Sequence, residues 1–142
     1  MMSFGMPQLK PDLSPLSDAV TRGVRVEVLA RYAAETSRPQ FSQWVFEYTV
    51  RITNQSSVTV QLISRHWIIT DAAGHVQEVK GPGVVGNQPV LAPGESFKYS
   101  SWCPLETPVG MMHGTYQMQG TDGEQFDIEI AAFGLKAPYS VN

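Results

Sequence analysis

The residues with the most chemical promise are Gly81, Gly83 and Gly86, which fit the spacing G-x-G-x-x-G, with Lys80 immediately before them. Glycine lacks a side chain, so successive backbone N–H groups can close around an anion. In dinucleotide-binding folds this spacing brings the backbone against a pyrophosphate whose charge meets a helix N-terminus. Lys80 would add a countercharge to such a cradle. Two features oppose that chemistry. Asn87-Gln88-Pro89 and Pro93-Gly94 break the chain where the helix should begin, and the place of the usual phosphate-loop lysine, after the last glycine, holds Asn87. The plainer reading gives the glycines positive φ angles or close packing within a long connection, residues 81–94. On the residues alone both readings stand.

The remaining reactive groups form no matching set. Cys103 is the single cysteine, so no intrachain disulfide exists, and His113 invites a thiolate–imidazole pair. Nothing supplies an orienting third group, and a buried or capped thiol is the simpler expectation. His66, His75 and His113 each lie more than five residues from any other histidine or from Cys103, which is not zinc-site spacing. Asp122, Glu124, Asp127 and Glu129 gather around one turn, where oxygens could meet a hard cation. Strand alternation sends Asp127 and Glu129 outward, so solvated carboxylates are expected and no metal or cofactor. Without an acid, base and nucleophile set, the expectation is a protein that is not an enzyme. Trp102 shares parity with Ser96, Lys98 and Ser100, which makes it an exposed indole and a candidate partner anchor.

Among the elements that carry these residues, the first is a stretch over 1–21 that contains Pro7, Pro11 and Pro15 and is expected to form a flexible extension, with one domain over 22–142. Val24, Val26 and Val28 alternate with polar residues, as do Trp44, Phe46, Tyr48, Val50 and Ile52, the second run reading as a central strand. Residues 54–57 are turn-formers that read as a hairpin into the next strand. There Val58, Val60 and Leu62 have one parity while Trp67 and Ile69 have the other, so a bulge is expected near residues 64–66. Short strands follow at 75–79 and 97–101, the latter ending at Cys103-Pro104, then at 113–120 and 125–131 around the turn Thr121-Asp122-Gly123.

About seven strands and no helix predict an all-β fold, a two-layer antiparallel sandwich of the immunoglobulin-like kind. The missing cysteine pair selects the fibronectin type III variety, and Tyr116 after Gly114-Thr115 is placed as a tyrosine corner bonding to backbone. A net charge of -3 and a pI near 5.5 disfavour nucleic acid as a partner. No run of about 18 apolar residues is present, so no membrane span is expected. The first residues lack a basic segment followed by an apolar one, which predicts a cytoplasmic address.

Residues 81–89, with Arg65-His66-Trp67, Pro93-Gly94, residues 97–101 and residues 110–116, together resemble the bacterial ApaG family over about Val24 to Phe133. The resemblance implies a fibronectin type III-like domain, encoded near a diadenosine tetraphosphatase and linked to cobalt resistance and magnesium efflux. Related domains in eukaryotic F-box proteins and in a polymerase-delta-interacting protein look like protein-recognition modules, and no established catalytic residue accompanies the family. The resemblance therefore implies a protein–protein interaction module with an unidentified protein partner. The alternative is a nucleotide or pyrophosphate binder using Gly81 to Gly86.

Overall fold

The computed structural model describes residues 15–138. Its strands are β1 (Ser17–Thr21), β2 (Val24–Tyr32), β3 (Trp44–Asn54), β4 (Val60–Asp71), β5 (Val76–Pro82), β6 (Val90–Leu91), β7 (Ser96–Leu105), β8 (Val109–Gly120) and β9 (Gln125–Lys136). The first sheet runs β1-β2-β3-β7 and the second β5-β4-β8-β9, with β6 pairing β4, every pair antiparallel. The two stack as the expected sandwich. No helix among the described residues is long and apolar enough to cross a membrane.

Alternation does the work of folding. Val24, Val26 and Val28 of β2, and Phe46, Tyr48, Val50 and Ile52 of β3, turn their side chains into the gap between the sheets and lose nearly all contact with water. From the second sheet Trp67, Met112, Tyr116, Met118, Ile128 and Ile130 meet them. Trp67 is the hub. Its ring lies 5.2 Å from Tyr48, 6.3 Å from Tyr116 and 6.1 Å from Phe133, each edge-on, the arrangement that aromatic quadrupoles prefer.

Several expectations are corrected. Among the described residues nine strands form rather than about seven, because β1 and the two-residue β6 lie in segments whose patterns are too short to read. Residues 17–21, expected within a flexible extension, pair with β2 from Ser17↔Val28 to Thr21↔Val24, while residues 1–14 lie outside the described residues. Residues 54–59 make no hairpin. They carry the chain from β3 in one sheet to β4 in the other, around an Asn54 that is 0% exposed. Its Nδ2 donates to the carbonyls of Val58 (2.8 Å) and Leu91 (2.9 Å), and its Oδ1 accepts from the Ser56 N–H (3.0 Å). A buried amide satisfied in this way ties the crossover to β6.

The parity change in β4 is real but falls one residue before the expected place, between Leu62 and Ser64. The extra residue lets Val60 and Leu62, then Trp67 and Ile69, all face inward. β7 does not end at Cys103-Pro104 but continues to Leu105, pairing Pro104 with Val45. β7 is an edge strand, so a residue without an N–H costs no ladder bond on its outer side. Tyr116 is not a tyrosine corner: its hydroxyl bonds to that of Tyr99 across the core rather than to backbone.

Candidate functional site

The glycine motif is a structural device before it is anything else. Gly81 lies in β5 opposite Arg65, and a Cβ there would come within 2.9 Å of the Arg65 guanidinium. Gly83 has φ +59°, and a Cβ there would strike the Asn87 carbonyl at 2.2 Å. Val84 and Asn87 exchange N–H···O bonds of 2.8 Å around Val85 (φ 42°) and Gly86 (φ 82°), the two-residue type I′ hairpin turn. The Gly83 N–H donates at 2.8 Å to the Ile63 carbonyl that the β4 bulge has freed, and Gln88 Nε2 donates to the same oxygen at 2.9 Å.

Three of the amides that a phosphate cradle would use, those of Gly83, Val84 and Asn87, are therefore spent on backbone carbonyls. Lys80 is exposed and sits opposite His66 in the ladder, so alternation turns it to the face away from Gly81. The structure does not bring Lys80 and the glycines around one point. Trp102 lies elsewhere, on β7 opposite Glu47, and is 50% exposed as its parity required.

A different set of residues converges. Among the described residues β5 and β7 are open edges of their sheets, and between them runs a cleft with two recesses of about 500 and 180 Å³ joined at Ile69, Gln77 and Pro104. Phe41 and Val76 stand on the rim of the larger recess, 67% and 62% exposed. The smaller recess is walled by Tyr48, Trp67, Ser101, Trp102 and Cys103, and Arg65 reaches into it. Arg65 shares the inward parity of Trp67 because the bulge precedes both. Where Gly81 leaves room, its guanidinium packs on the backbone, and one nitrogen, Nη1, donates to the carbonyls of Pro82 and Gly83, each at 2.9 Å.

Burial sets the acid–base character of this wall. It pushes the Tyr48 hydroxyl above the ordinary phenol range and the Cys103 thiol up to about 11, as it raises the hydroxyls of Tyr99 and Tyr116, which lie in the core behind the recess and bond to each other. At neutral pH these groups are protonated, so the recess wall offers a hydroxyl and a thiol rather than a phenolate or a thiolate. The Trp67 indole N–H, fully buried in the same wall, has no hydrogen-bond partner among the described residues. Such a surface can hold a ligand by donating hydrogen bonds, while Asp71, His75 and Glu106 line the larger recess.

The other sequence candidates separate. His113 sits at a second β-bulge, between Met112 and Gly114, and makes no hydrogen bond to Cys103. His66 faces Glu78 at 2.7 Å and His75 faces Asp71 at 3.3 Å. Glu124 pairs with Arg22 at 2.7 Å, and Asp122 accepts from the Glu124 N–H at 2.9 Å. Among the described residues no three histidine, cysteine or carboxylate side chains gather as a metal site. Sequence reasoning did not single out Arg65 as a site residue. The signal was present, since an arginine two residues before a buried tryptophan in one strand must share its face.

With this geometry in view, a model of the ApaG domain matches residues 34–120 of the chain. Protein ApaG of Brucella canis is 59% identical over 120 residues, covering 84% of this chain and 92% of the relative. Protein ApaG of Azoarcus sp. strain BH72 is 52% identical over 123 residues, covering 87% and 97%. A Bordetella pertussis protein named ApaA in its crystal structure superposes with a TM-score of 0.79 at 52% identity, covering 90% of this chain and 99% of that one. The C-terminal domain of wzt shares the fold alone, with a TM-score of 0.54 at 8% identity over 90% of this chain and 81% of that one.

Proposed function

The chain belongs to the ApaG domain family, and from that premise we propose that it is a non-enzymatic recognition module that grips an extended segment of a partner protein. The observation that carries this reading is the open side of the sandwich, where two sheet edges unpartnered among the described residues flank a cleft lined by Phe41, Val76 and Trp102, all three exposed, with Trp102 on the outer-face parity of the β7 edge. A segment laid there would find apolar anchors for its side chains beside unsatisfied strand backbone, the two ingredients of strand-type peptide recognition. Glu78, Lys80 and Pro82 on β5, and Lys98 and Pro104 on β7, blunt both edges against pairing with another copy of the chain. The raised pKa values of the Cys103 thiol and the Tyr48 phenol in the smaller recess favour binding over catalysis there. In this reading the cobalt and magnesium phenotypes implied by the family resemblance act through the partner, in the cytoplasm, and not through a metal held by this chain.

The test is a selection of displayed random peptides on the wild-type protein with Trp102→Ala as the counter-target. Enriched peptides should bind wild type and lose at least tenfold in affinity on Trp102→Ala. Enrichment of peptides indifferent to Trp102, or no enrichment at all, would end this reading. A pyrophosphate-binding role for Gly81, Gly83 and Gly86 has less support, because only the amides of Val85 and Gly86 remain at the turn tip without a backbone acceptor among the described residues. Selective movement of those two amide resonances on adding pyrophosphate would revive it.

A further inference from the structure

The chain has six arginines, and four of them, Arg22, Arg25, Arg31 and Arg51, are held by carboxylates at 3.5 Å or less. Arg38 is exposed to water, which screens its charge. Arg65 differs from all of these: it is half-buried between the sheets, and no carboxylate among the described residues reaches it. A cation withdrawn from water with no opposite charge is costly to keep, and the cost is recovered when a counterion arrives.

The use of the guanidinium donors narrows the kind of counterion. Nη1 serves the Pro82 and Gly83 carbonyls, whereas Nε and Nη2 donate to no acceptor among the described residues. Those two nitrogens form one side of the guanidinium fork, and their parallel N–H bonds match the two oxygens of a carboxylate. The surrounding donors are neutral: the Tyr48 and Ser101 hydroxyls and the Gln77 amide line the same recess. One positive charge among neutral donors balances a single negative charge. A phosphate dianion calls for a second cation, and Lys80, the nearest in the ladder, faces the other way.

We propose that Arg65 is a carboxylate receptor, so that the segment taken into the cleft carries an aspartate or glutamate close to the side chain anchored on Trp102. The source of the carboxylate rests on the recognition reading above; the anion site rests on Arg65 itself. Its position follows from the two motifs that flank it. The β4 bulge turns Arg65 inward, and Gly81 provides the space in which its head lies. The glycine motif then serves anion binding indirectly, by housing a cation rather than wrapping a phosphate.

Two measurements separate the claims. In the first, N-acetyl-glutamate amide is titrated into the full chain while the Arg65 Nε–H and Trp102 indole N–H resonances are followed. N-acetyl-glutamine amide and inorganic phosphate, at matched ionic strength, form the other arms. A saturable movement of both resonances with the glutamate derivative alone is expected. In Arg65→Lys, which retains the charge without the fork, the Trp102 response should require about tenfold more ligand. An equal response to the glutamine derivative, tighter binding of phosphate, or a Trp102 response unchanged in Arg65→Lys would overturn the proposal. If Arg65→Lys does not fold, the three wild-type arms decide it.

In the second measurement, each acidic residue of the selected peptides is exchanged for its amide. One exchange should weaken binding to wild type about tenfold and have little effect on Arg65→Lys. Peptides that need Trp102 yet tolerate every exchange would remove the carboxylate claim and leave recognition standing. Failure to select any peptide would remove recognition, while the first titration still judges Arg65.

Discussion

The two sides of this sandwich are finished differently. Where β1 meets β9, side chains stitch one sheet to the other: Ser17 Oγ donates to the Ala131 carbonyl at 2.6 Å, and the Glu129 N–H donates to Thr21 Oγ1 at 3.1 Å. Arg22 completes the seam, pairing with Glu124 and lying 4.4 Å over the Phe126 ring. Where β5 faces β7, the corresponding groups stay unused. Among the described residues Arg65 keeps two guanidinium nitrogens without acceptors, the Trp67 indole N–H has no partner, and Trp102 is half exposed. Edges alone do not define a binding site, since both sides present edges. The difference lies in whether short side chains reach across to consume the donors.

The largest effect should come from breaking the wall of the open side. Trp67→Ala removes the ring on which Tyr48, Tyr116 and Phe133 converge and should cost about 3–5 kcal/mol in urea denaturation. A loss below about 1 kcal/mol would mean that the open side is soft rather than preformed. Alkali attacks the same wall and the core behind it. Burial raises the Tyr48, Tyr99, Tyr116 and Cys103 pKa values, so their contribution is complete below the unfolded pKa values and declines as pH climbs through the folded ones. The urea midpoint should therefore hold to about pH 8 and fall above it, as unfolded thiols and then phenols ionise. A flat profile to pH 11 would contradict the burial of these groups.

Smaller effects sharpen the contrast. Gly83→Ala forces a side chain into left-handed backbone against the Asn87 carbonyl and should cost more than about 1 kcal/mol, loosening the loop that holds Arg65. On the closed side, Ser17→Ala deletes a donor from a buried seam and should cost about 1 kcal/mol, with faster amide exchange at the β1–β9 boundary. Exchange accelerating at β5 instead would show that the two sides are coupled. The smallest change in stability belongs to Trp102→Ala, within about 0.5 kcal/mol, because its indole contributes little to the core. That near-neutrality makes it the clean reporter for binding.

Much of the fold was legible. The five-residue face of β3, the parity change before Trp67 and the exposure of Trp102 all follow from period-two alternation, a property of the chain over a few residues. The tight turn at Gly123 (φ 83°) was legible for the same local reason. The hairpin expected at residues 54–57 was not what formed, because turn-formers specify a reversal and not which sheet receives the next strand. Asn54 decides that through Leu91, 37 residues away. The glycine spacing identified a place where backbone and a neighbour come close, but the neighbour is a guanidinium supplied by another strand.

The sequence by itself determined which side chains would leave water, because a strand alternates its faces whatever it pairs with. It marked the glycines near position 83 as a place for positive φ, close packing or an anion, without choosing among them. Tertiary structure alone decided which edges would be sewn and which left open, since that depends on what lies across the gap from each strand. Pairing register placed Arg65 over Gly81 and opposite Tyr116, and so turned an ordinary strand arginine into a half-buried cation with no carboxylate partner among the described residues.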